Sequence, residues 1–337
     1  MSDSNKRQSP FLVRVIGSLF RAMTGAYALS VAGYLLARWL FSDLVIIELF
    51  NSFGHLLLIP ALVLLPVALL LRHWLNVALL VPAVSAFVFF YGVFFLPSTS
   101  PPPPDDAPRL NILTYNLLAN NRALDGSLDI IREADADMVL LQEISTTTAP
   151  QIRQALADDY RYMALNPVEG FPTHGQGILS RFPITDDAML TNLRLGMQRT
   201  VVQWRGQPLV IYNVHPPHPG LGDGFFDPSV RTSVLEKVQQ RALQEESRVL
   251  IGGDFNMSDL SWDYDLFSQH YADAYRVAGW GMGWTFPADT LSPVPLLRLD
   301  YLFYESNWQA VEAIRWPDSG GSDHYPLRVT LVDLRGQ

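Results

Sequence analysis

The chain has 337 residues, no cysteine and a formal net charge of −9, enough length for one large globular domain plus an appendage. Its charge divides near residue 100: residues 1–100 carry six Lys/Arg and three Asp/Glu, a balance of +3, and residues 101–337 carry eighteen and thirty, a balance of −12. Duplex affinity comes largely from Lys and Arg displacing counterions from phosphates, so the acidic C-terminal part disfavours general nucleic-acid binding.

The first third reads as a membrane anchor. Three apolar stretches, about 22–41, 52–71 and 74–96, each approach the ~20 residues a helix needs to cross a bilayer, and the second carries no acid or base except His55. A secretory leader has one short apolar core and a cleavage site, so three spans in series predict an anchor that is retained. Pro60, Pro66 and Pro82 are tolerable where neighbouring helices satisfy the backbone. The alternative is a buried helical bundle of a soluble domain. Lys and Arg near span ends stay on the cytoplasmic side; Lys6, Arg7, Arg14 and Arg21 precede the first span and Arg72-His73 fills the turn between the second and third. With the N-terminus inside, three crossings place everything after Leu96 outside, a cell-membrane, multi-pass arrangement with an extracytoplasmic domain that the absence of Cys is compatible with.

Pro97-Ser-Thr-Ser-Pro-Pro-Pro-Pro104, then Asp105-Asp106, predicts a stiff extended spacer. The expected division is an anchor over 1–97, a linker over 98–108 and a catalytic domain over 109–337. Beyond the linker, strands are predicted at 110–115, 138–142, 176–180, 200–204 and 208–214, in a run closing at Ile251, and at 296–304 and 325–333. Helices are predicted near 127–135, 147–158 and 228–246. Mixed strand and helix order with adjacent strand pairs predicts a two-sheet sandwich covered by helices, an α/β (α+β) class.

Polar motifs stand at the ends of these apolar runs. Glu143 follows Met138 to Leu141, and Asn116 follows Leu113-Thr-Tyr115; an amide oxygen can help ligate Mg²⁺ or fix a carboxylate that does. In Gly252-Gly253-Asp254-Phe255-Asn256 the glycines allow close backbone approach, and Asp254 and Asn256 project to one side if the backbone stays extended. That pair suits water capture; the competing reading is an Asx turn capping the next helix or loop. In Ser322-Asp323-His324 adjacent residues point in different directions, and Asp300, in Leu299-Asp300-Tyr301, can orient the imidazole and favour its charged form, which stabilises charge on an attacked phosphate. His215 ends the run 209–214 and suits protonation of a leaving group or phosphate binding. His218 lies in Pro216-Pro-His-Pro219, where a structural role competes with substrate contact. Without Cys or a His-Glu-x-x-His helix, zinc is disfavoured.

Taken in order, Tyr115-Asn116, Gln142-Glu143, Gly253-Asp-Phe-Asn256, Leu299-Asp-Tyr301 and Ser322-Asp-His324 resemble the endonuclease/exonuclease/phosphatase superfamily, the metal-dependent phosphoesterases that include DNase I, apurinic endonucleases, inositol-polyphosphate 5-phosphatases and bacterial sphingomyelinases. The match covers about residues 109–333, and Ser180-Arg181-Phe182-Pro183 looks like the family's Ser-Arg-x-Pro turn. The resemblance implies a four-layer αββα sandwich of DNase I type. It implies that Asn116, Glu143 and Asp323 hold Mg²⁺ or Mn²⁺, that Asp254 and Asn256 position the nucleophile, that the Asp300–His324 pair stabilises the transition state, and that His215 is a phosphate ligand or acid. Arg181, Gln176 and His218 are the substrate-binding candidates; Gln176 and Gly177 replace the Asn and Ala often found in the family's Gly-Asn-Ala-Ile-Leu-Ser-Arg stretch.

The triple-span, proline-linked layout is similar to the glycopeptide-resistance membrane proteins, whose outward-facing domains are thought to act on lipid-linked phosphates. Three functions are expected in this order: a membrane-anchored phosphoesterase for a lipid-linked phosphate ester or pyrophosphate, an extracytoplasmic endo/exonuclease, and a non-catalytic membrane interaction protein with a vestigial pocket. The expected partners are the lipid bilayer and a phosphorylated lipid or other phosphoester, with no obligate protein partner evident. The loop Gly220-Leu-Gly-Asp-Gly-Phe-Phe226 and the aromatics Trp280, Trp284 and Phe286, with Met282, are candidates for touching the interface, where such rings are favoured, or for ordinary core.

Overall fold

The computed structural model describes residues 5–190, 197–220, 226–288 and 294–335, and the chain divides into two compact units, Met1–Val93 and Phe94–Gln337. The first unit holds α1 (Asn5–Leu40), α2 (Val45–Ser52), α3 (Gly54–Leu70) and α4 (Trp74–Tyr91). Two segments, Phe11–Leu40 and Trp74–Phe95, are long and apolar enough to cross a membrane.

The second apolar stretch, expected over about 52–71, forms the single helix α3; what the sequence does not show is the short helix α2 before it, which meets α3 at a 57° bend. Phe53 leaves helical backbone there (φ −116°, ψ 18°). Glu48, Asn51 and His55 are all buried around it, with Tyr34 donating to Asn51 Oδ1 at 2.9 Å. A bent pair that keeps buried polar groups bonded to one another satisfies what an apolar surrounding cannot. The prolines behave as expected, lying inside α3 and α4 without ending them.

The second unit contains β1 (Arg109–Asn116), α5 (Leu124–Glu133), β2 (Met138–Gln142), α6 (Thr148–Ala155), β3 (Tyr162–Asn166), β4 (Gln176–Ser180), β5 (Ile184–Leu190), β6 (Met197–Trp204), β7 (Gln207–Val214), α7 (Ser229–Ala242) and β8 (Arg248–Asp254). It closes with α8 (Trp262–Ser268), β9 (Ala272–Asp273), α9 (Ala274–Ala278), β10 (Asp300–Tyr304), β11 (Trp308–Arg315) and β12 (Leu327–Asp333). They form two six-stranded sheets, ordered β11-β12-β1-β2-β4-β3 and β5-β6-β7-β8-β10-β9. Each has one parallel pair at its centre, β1 with β2 and β7 with β8, flanked by antiparallel neighbours.

The layering follows from the period-2 alternation of strand side chains. In the second sheet Val249 and Ile251 of β8 and Tyr301 and Phe303 of β10 pack with Val234, Leu235 and Val238 of α7 and Phe267 of α8. In the first, Leu113, Val139 and Leu141 pack with Leu128 and Ile131 of α5 and Ile152 of α6. The alternate residues meet between the sheets, where Gly252 leaves room for Leu140 and Leu302; a Cβ there would come within 2.9 Å of both. The result is the expected αββα sandwich. The ladder of β10 begins only at Asp300, not at 296: residues 296–297 instead bond to Phe286, and Arg298 is drawn into a buried ion cluster with Asp259 and Asp273.

Candidate active site

The two parallel pairs explain why distant motifs meet. Parallel neighbours end on the same side, so β1 and β2 deliver Asn116 and Glu143 together, and β7 and β8 deliver His215 and Asp254. Strands β10 and β12 run antiparallel to β8 and β1, so their starts lie at that same edge: Asp300 pairs with Asp254 in the ladder, and His324 precedes β12 by three residues. Carboxyl ends of central parallel strands are where open α/β sheets place ligands, and here both sheets contribute.

Asp254 Oδ2 is the hub. It accepts from Asn116 Nδ2 at 3.0 Å, with His215 Nε2 at 3.6 Å and His324 Nε2 at 3.5 Å. Asn116 Nδ2 also lies 3.3 Å from Glu143 Oε1, whose other oxygen accepts from the Ala119 amide at 2.9 Å. His215 Nε2 stands 3.7 Å from Glu143 Oε1. One amide and one imidazole therefore bridge two carboxylates delivered by different sheets.

The local backbone departs from extended form to achieve this. Asn256 has φ 50° and Glu143 φ 58°, conformations uncommon for side-chain-bearing residues and concentrated at functional sites. Asp254 and Asn256 thus do not project side by side as an extended backbone would place them. The chain turns back, the Asn256 amide donates to Asp254 Oδ1 at 2.9 Å, and Asn256 Nδ2 ties to the Pro216 carbonyl at 3.0 Å. The Asx turn is formed: it fixes one Asp254 oxygen and leaves the other facing the imidazoles. Gly253, at φ 141°, is required because a Cβ there would sit 2.0 Å from the Val214 carbonyl oxygen.

His324 Nδ1 lies 2.9 Å from Asp300 Oδ2, both groups buried. Burial opposes the imidazolium, but the charges of Asp300 and Asp254, the Asp300 hydrogen bond and Asp323 outweigh it and hold His324 up at about 10. The ring is a cation wedged between two carboxylates. Burial pushes Asp323 up; His324 pulls it back, and the charge of Glu143 adds to the rise.

Two sets of side chains are candidates for a metal. Asp254, Asp300 and His324 offer one ligand atom each within 4.8 Å of one another. In that trio His324 Nδ1 is engaged by Asp300 at 2.9 Å and its Nε2 faces Asp254 at 3.5 Å, so it reads as a hydrogen-bonded pair beside the hub. Glu143 and Asp323 instead present carboxylates whose charges oppose one another, and Asn116 stands beside the first with its Nδ2 toward it at 3.3 Å; with that amide turned so that Oδ1, which here accepts from the Leu118 amide at 3.0 Å, faces Glu143, the donors would all be oxygen. Such an all-oxygen set fits a hard divalent cation.

The remaining candidates fall elsewhere. Arg181 follows β4 at the end opposite the site, since Ser180 pairs with Met138 while Gln176 pairs with Gln142; it bonds Asp135 and lies over Tyr160. Substrate contact by Arg181 is therefore corrected to a surface ion pair. Gln176 is fully buried between the sheets, donating to the Asn213 carbonyl at 3.1 Å, and joins Gln142 and Asn213 (2.7 Å apart) in an amide network under the site. Contact between Gln176 and substrate is likewise corrected to support from beneath. His218 is exposed on the loop after β7. Residues 221–225 of the 220–226 loop lie outside the described residues; Phe226 is buried.

Three contributors carry no role in the motifs. Ser322 Oγ donates to the Asn116 carbonyl at 2.6 Å and accepts from the His324 amide at 3.1 Å, pinning the His324 loop to the end of β1. Arg231 of α7, buried, donates to the Asn256 carbonyl at 2.7 Å while paired with Asp263 at 2.6 Å. His174 is half-buried and stacked on Phe171; burial and then the charge of His215 push its pKa down, with Glu143 opposing. Ser322 stands inside the Ser322-Asp-His324 motif without its bonding role being apparent there, and His174 is an imidazole just before Gly175-Gln176; Arg231 carries no comparable signal.

Comparison with known proteins agrees with this fold. The model of the Endonuclease/Exonuclease/phosphatase family matches residues 113–324. UPF0294 protein VP2298 of Vibrio parahaemolyticus is 29% identical over 240 residues, spanning 68% of this chain and 79% of that protein. Among solved structures, a humanized D. rerio TDP2 aligns with a TM-score of 0.55 at 19% identity, covering 66% of this chain and 98% of that one. An endonuclease/exonuclease/phosphatase from Bacteroides vulgatus aligns with 0.55 at 17%, covering 67% and 99%. D. rerio TDP2 complexed with a single-strand DNA product aligns with 0.54 at 17%, covering 66% and 98%.

Proposed function

Because the chain belongs to the endonuclease/exonuclease/phosphatase family, whose members hydrolyse phosphoesters, we propose that it is a membrane-anchored, Mg²⁺- or Mn²⁺-dependent phosphoesterase acting on a lipid-linked phosphate ester or pyrophosphate at the outer face of the membrane. The observation that carries the reading is the meeting of Asp254, Glu143, Asn116, His215 and the Asp300–His324 pair at one edge of both sheets.

Glu143, Asp323 and Asn116 Oδ1 would hold the cation. When bound, it supplies charge neutralisation at a phosphoryl oxygen. The chain's own residues do the rest. Asp254 Oδ2 accepts the proton of the attacking water, its other oxygen already fixed by the Asn256 amide. The His324 imidazolium offers Nε2–H to the phosphoryl oxygens as charge develops, an electrostatic role. His215 Nε2, between Glu143 and Asp254, is placed to bind phosphate or protonate the leaving oxygen. Water oxygen bonds to phosphorus as the ester oxygen departs, and the proton taken by Asp254 balances the one given to the leaving group.

Lipid-linked substrate is supported by the two to three apolar helices of the first unit, since tethering raises the effective concentration toward partners on the same surface. The excess of basic residues before the first span supports an extracytoplasmic domain. The −12 balance of residues 101–337 weighs against a nuclease. Assaying the full chain with Mg²⁺ or EDTA on polyprenyl pyrophosphate, sphingomyelin, inositol phosphates and single-stranded DNA tests the reading. Metal-dependent turnover confined to the lipid-linked substrates supports it, and turnover confined to DNA overturns it.

A further inference from the structure

The apolar segment Trp74–Phe95 ends on residues that belong to the catalytic unit. Its 22 residues, at 1.5 Å each, rise ~33 Å, about the ~30 Å hydrocarbon thickness of a bilayer, so its last residues fall at the membrane–water boundary. Phe94 is fully buried in the catalytic unit, with the guanidinium of Arg298 5.2 Å and that of Arg276 5.3 Å from its ring. Its carbonyl accepts from the Gly281 amide at 2.8 Å. Phe95, beside it, packs edge-on against Trp280 at 6.5 Å. Trp280 is nonetheless 68% exposed and Leu96 61%.

A buried plug followed at once by exposed large apolar side chains is what a domain seated on a lipid surface presents. We infer that Phe95, Leu96 and Trp280 form a foot by which the catalytic unit rests on the bilayer, with the Trp280 indole in the headgroup zone where such rings concentrate. The proline-rich stretch is then no stalk. It follows the plug and runs back along the catalytic unit, where Gln309 donates to the Pro101 carbonyl at 2.8 Å and the Asp333 amide to that of Pro108 at 2.9 Å.

The foot is joined to the site by a short strap. Tyr275 donates to the Trp280 carbonyl at 2.7 Å; six residues on, Phe286 packs against the His324 ring at 5.0 Å, and the Ala288 amide donates to the Asp323 carbonyl at 2.7 Å. The inference rests on Trp74–Phe95 being a span, and not on which phosphoester is cleaved.

Because the chain has no cysteine, Trp280→Cys gives a single labelling position without further changes, and Leu243→Cys, 49% exposed just past α7, serves as the reference. Each full-length variant is reconstituted in phosphatidylcholine/phosphatidylglycerol vesicles, spin-labelled, and its collision rates with oxygen and with an aqueous nickel chelate are compared. The expected result is an oxygen-to-nickel ratio severalfold higher at 280 than at 243. Equal, water-like ratios in a chain that floats with the vesicles overturn the foot while leaving the anchor intact. A chain that fails to float overturns the anchor as well.

Discussion

Arg231 offers a test of how the scaffold holds the catalytic loop. Its guanidinium is almost wholly buried and makes three contacts that matter: Asp263 at 2.6 Å, Ser261 Oγ at 2.9 Å and the Asn256 carbonyl at 2.7 Å. Arg231→Met keeps most of the volume and strands a buried Asp263 carboxylate. Removing one partner of a buried pair costs about 3–5 kcal/mol, whereas replacing both by apolar groups is often neutral. Arg231→Met is therefore expected to lower unfolding stability by about 3–5 kcal/mol, and adding Asp263→Leu to recover most of it. Activity behaves differently, because neither variant restores a donor to the Asn256 carbonyl, whose residue holds the left-handed turn that orients Asp254. A loosened catalytic group can cost up to about 10²-fold in rate, and the same loss is expected in the single and double variants. Urea unfolding followed by tryptophan fluorescence gives the stabilities, and Mg²⁺-dependent hydrolysis of bis-p-nitrophenyl phosphate and p-nitrophenyl phosphate gives the rates. Full activity in the double variant would refute the link between Arg231 and the loop. A single variant as stable as the parent would refute the buried-pair argument.

Asp300→Asn removes the charge that holds His324 as an imidazolium while leaving a hydrogen-bonding partner. A loss of about 10²–10³ in kcat, the scale of one transition-state donor, is expected in the folded variant, with a lowered unfolding midpoint in urea because one partner of a buried pair loses its charge, and an unchanged kcat would refute the role of the pair. Away from the site, Glu245 accepts from Arg199 Nε and Nη2 and from the Tyr212 hydroxyl, and the Arg199 hydrogen bond holds its carboxyl below the ordinary 4.5 against burial. A depressed folded pKa contributes stability that is present above 4.5 and is lost as pH falls through the lower folded value. Between about pH 5 and pH 3 Glu245→Gln should therefore lose less stability than the parent; parallel curves in acid titration of unfolding would contradict this. Gly253→Ala places a Cβ against the Val214 carbonyl, so β7 and β8 must part where they carry His215 and Asp254. Loss of activity with a lowered thermal midpoint is expected, and a fully active, equally stable variant would show that the close approach is dispensable.

Much of this is legible in the sequence because buried strands announce themselves. Runs such as Met138 to Leu141 and Val249 to Ile251 are covered on both faces and read as unbroken apolar segments, and the polar residue ending each run marks an edge of the sheet. Edge strands do not give that signal: β5 carries Thr185, Asp186 and Asp187, and β3 is only half-buried throughout, so neither stands out from its pattern. A motif also does not say which end of a strand it occupies. Gln176 and Arg181 flank β4 at opposite ends, and only the pairing of β4 with β2 shows that Arg181 points away from the site. The contacts of Ser322 and Arg231 are invisible for another reason. Their roles exist only toward partners far along the chain, Ser322 toward Asn116 across 206 residues, and no local pattern encodes such a contact. The bend at Phe53 belongs to the same class, since Tyr34 meets Asn51 from another helix.

The claim on which the mechanism stands is that Glu143, with Asp323 and Asn116, holds one divalent cation beside Asp254. Titrating the full-length chain with Mn²⁺ and counting bound ions by electron paramagnetic resonance tests it directly, with Glu143→Gln as the comparison. A bound Mn²⁺ in the parent that is weakened about tenfold or more in Glu143→Gln, at least what loss of a partner behind a metal ligand costs, while urea unfolding is unchanged, is the predicted result. Equal Mn²⁺ binding in the two proteins would contradict the assignment of the metal site.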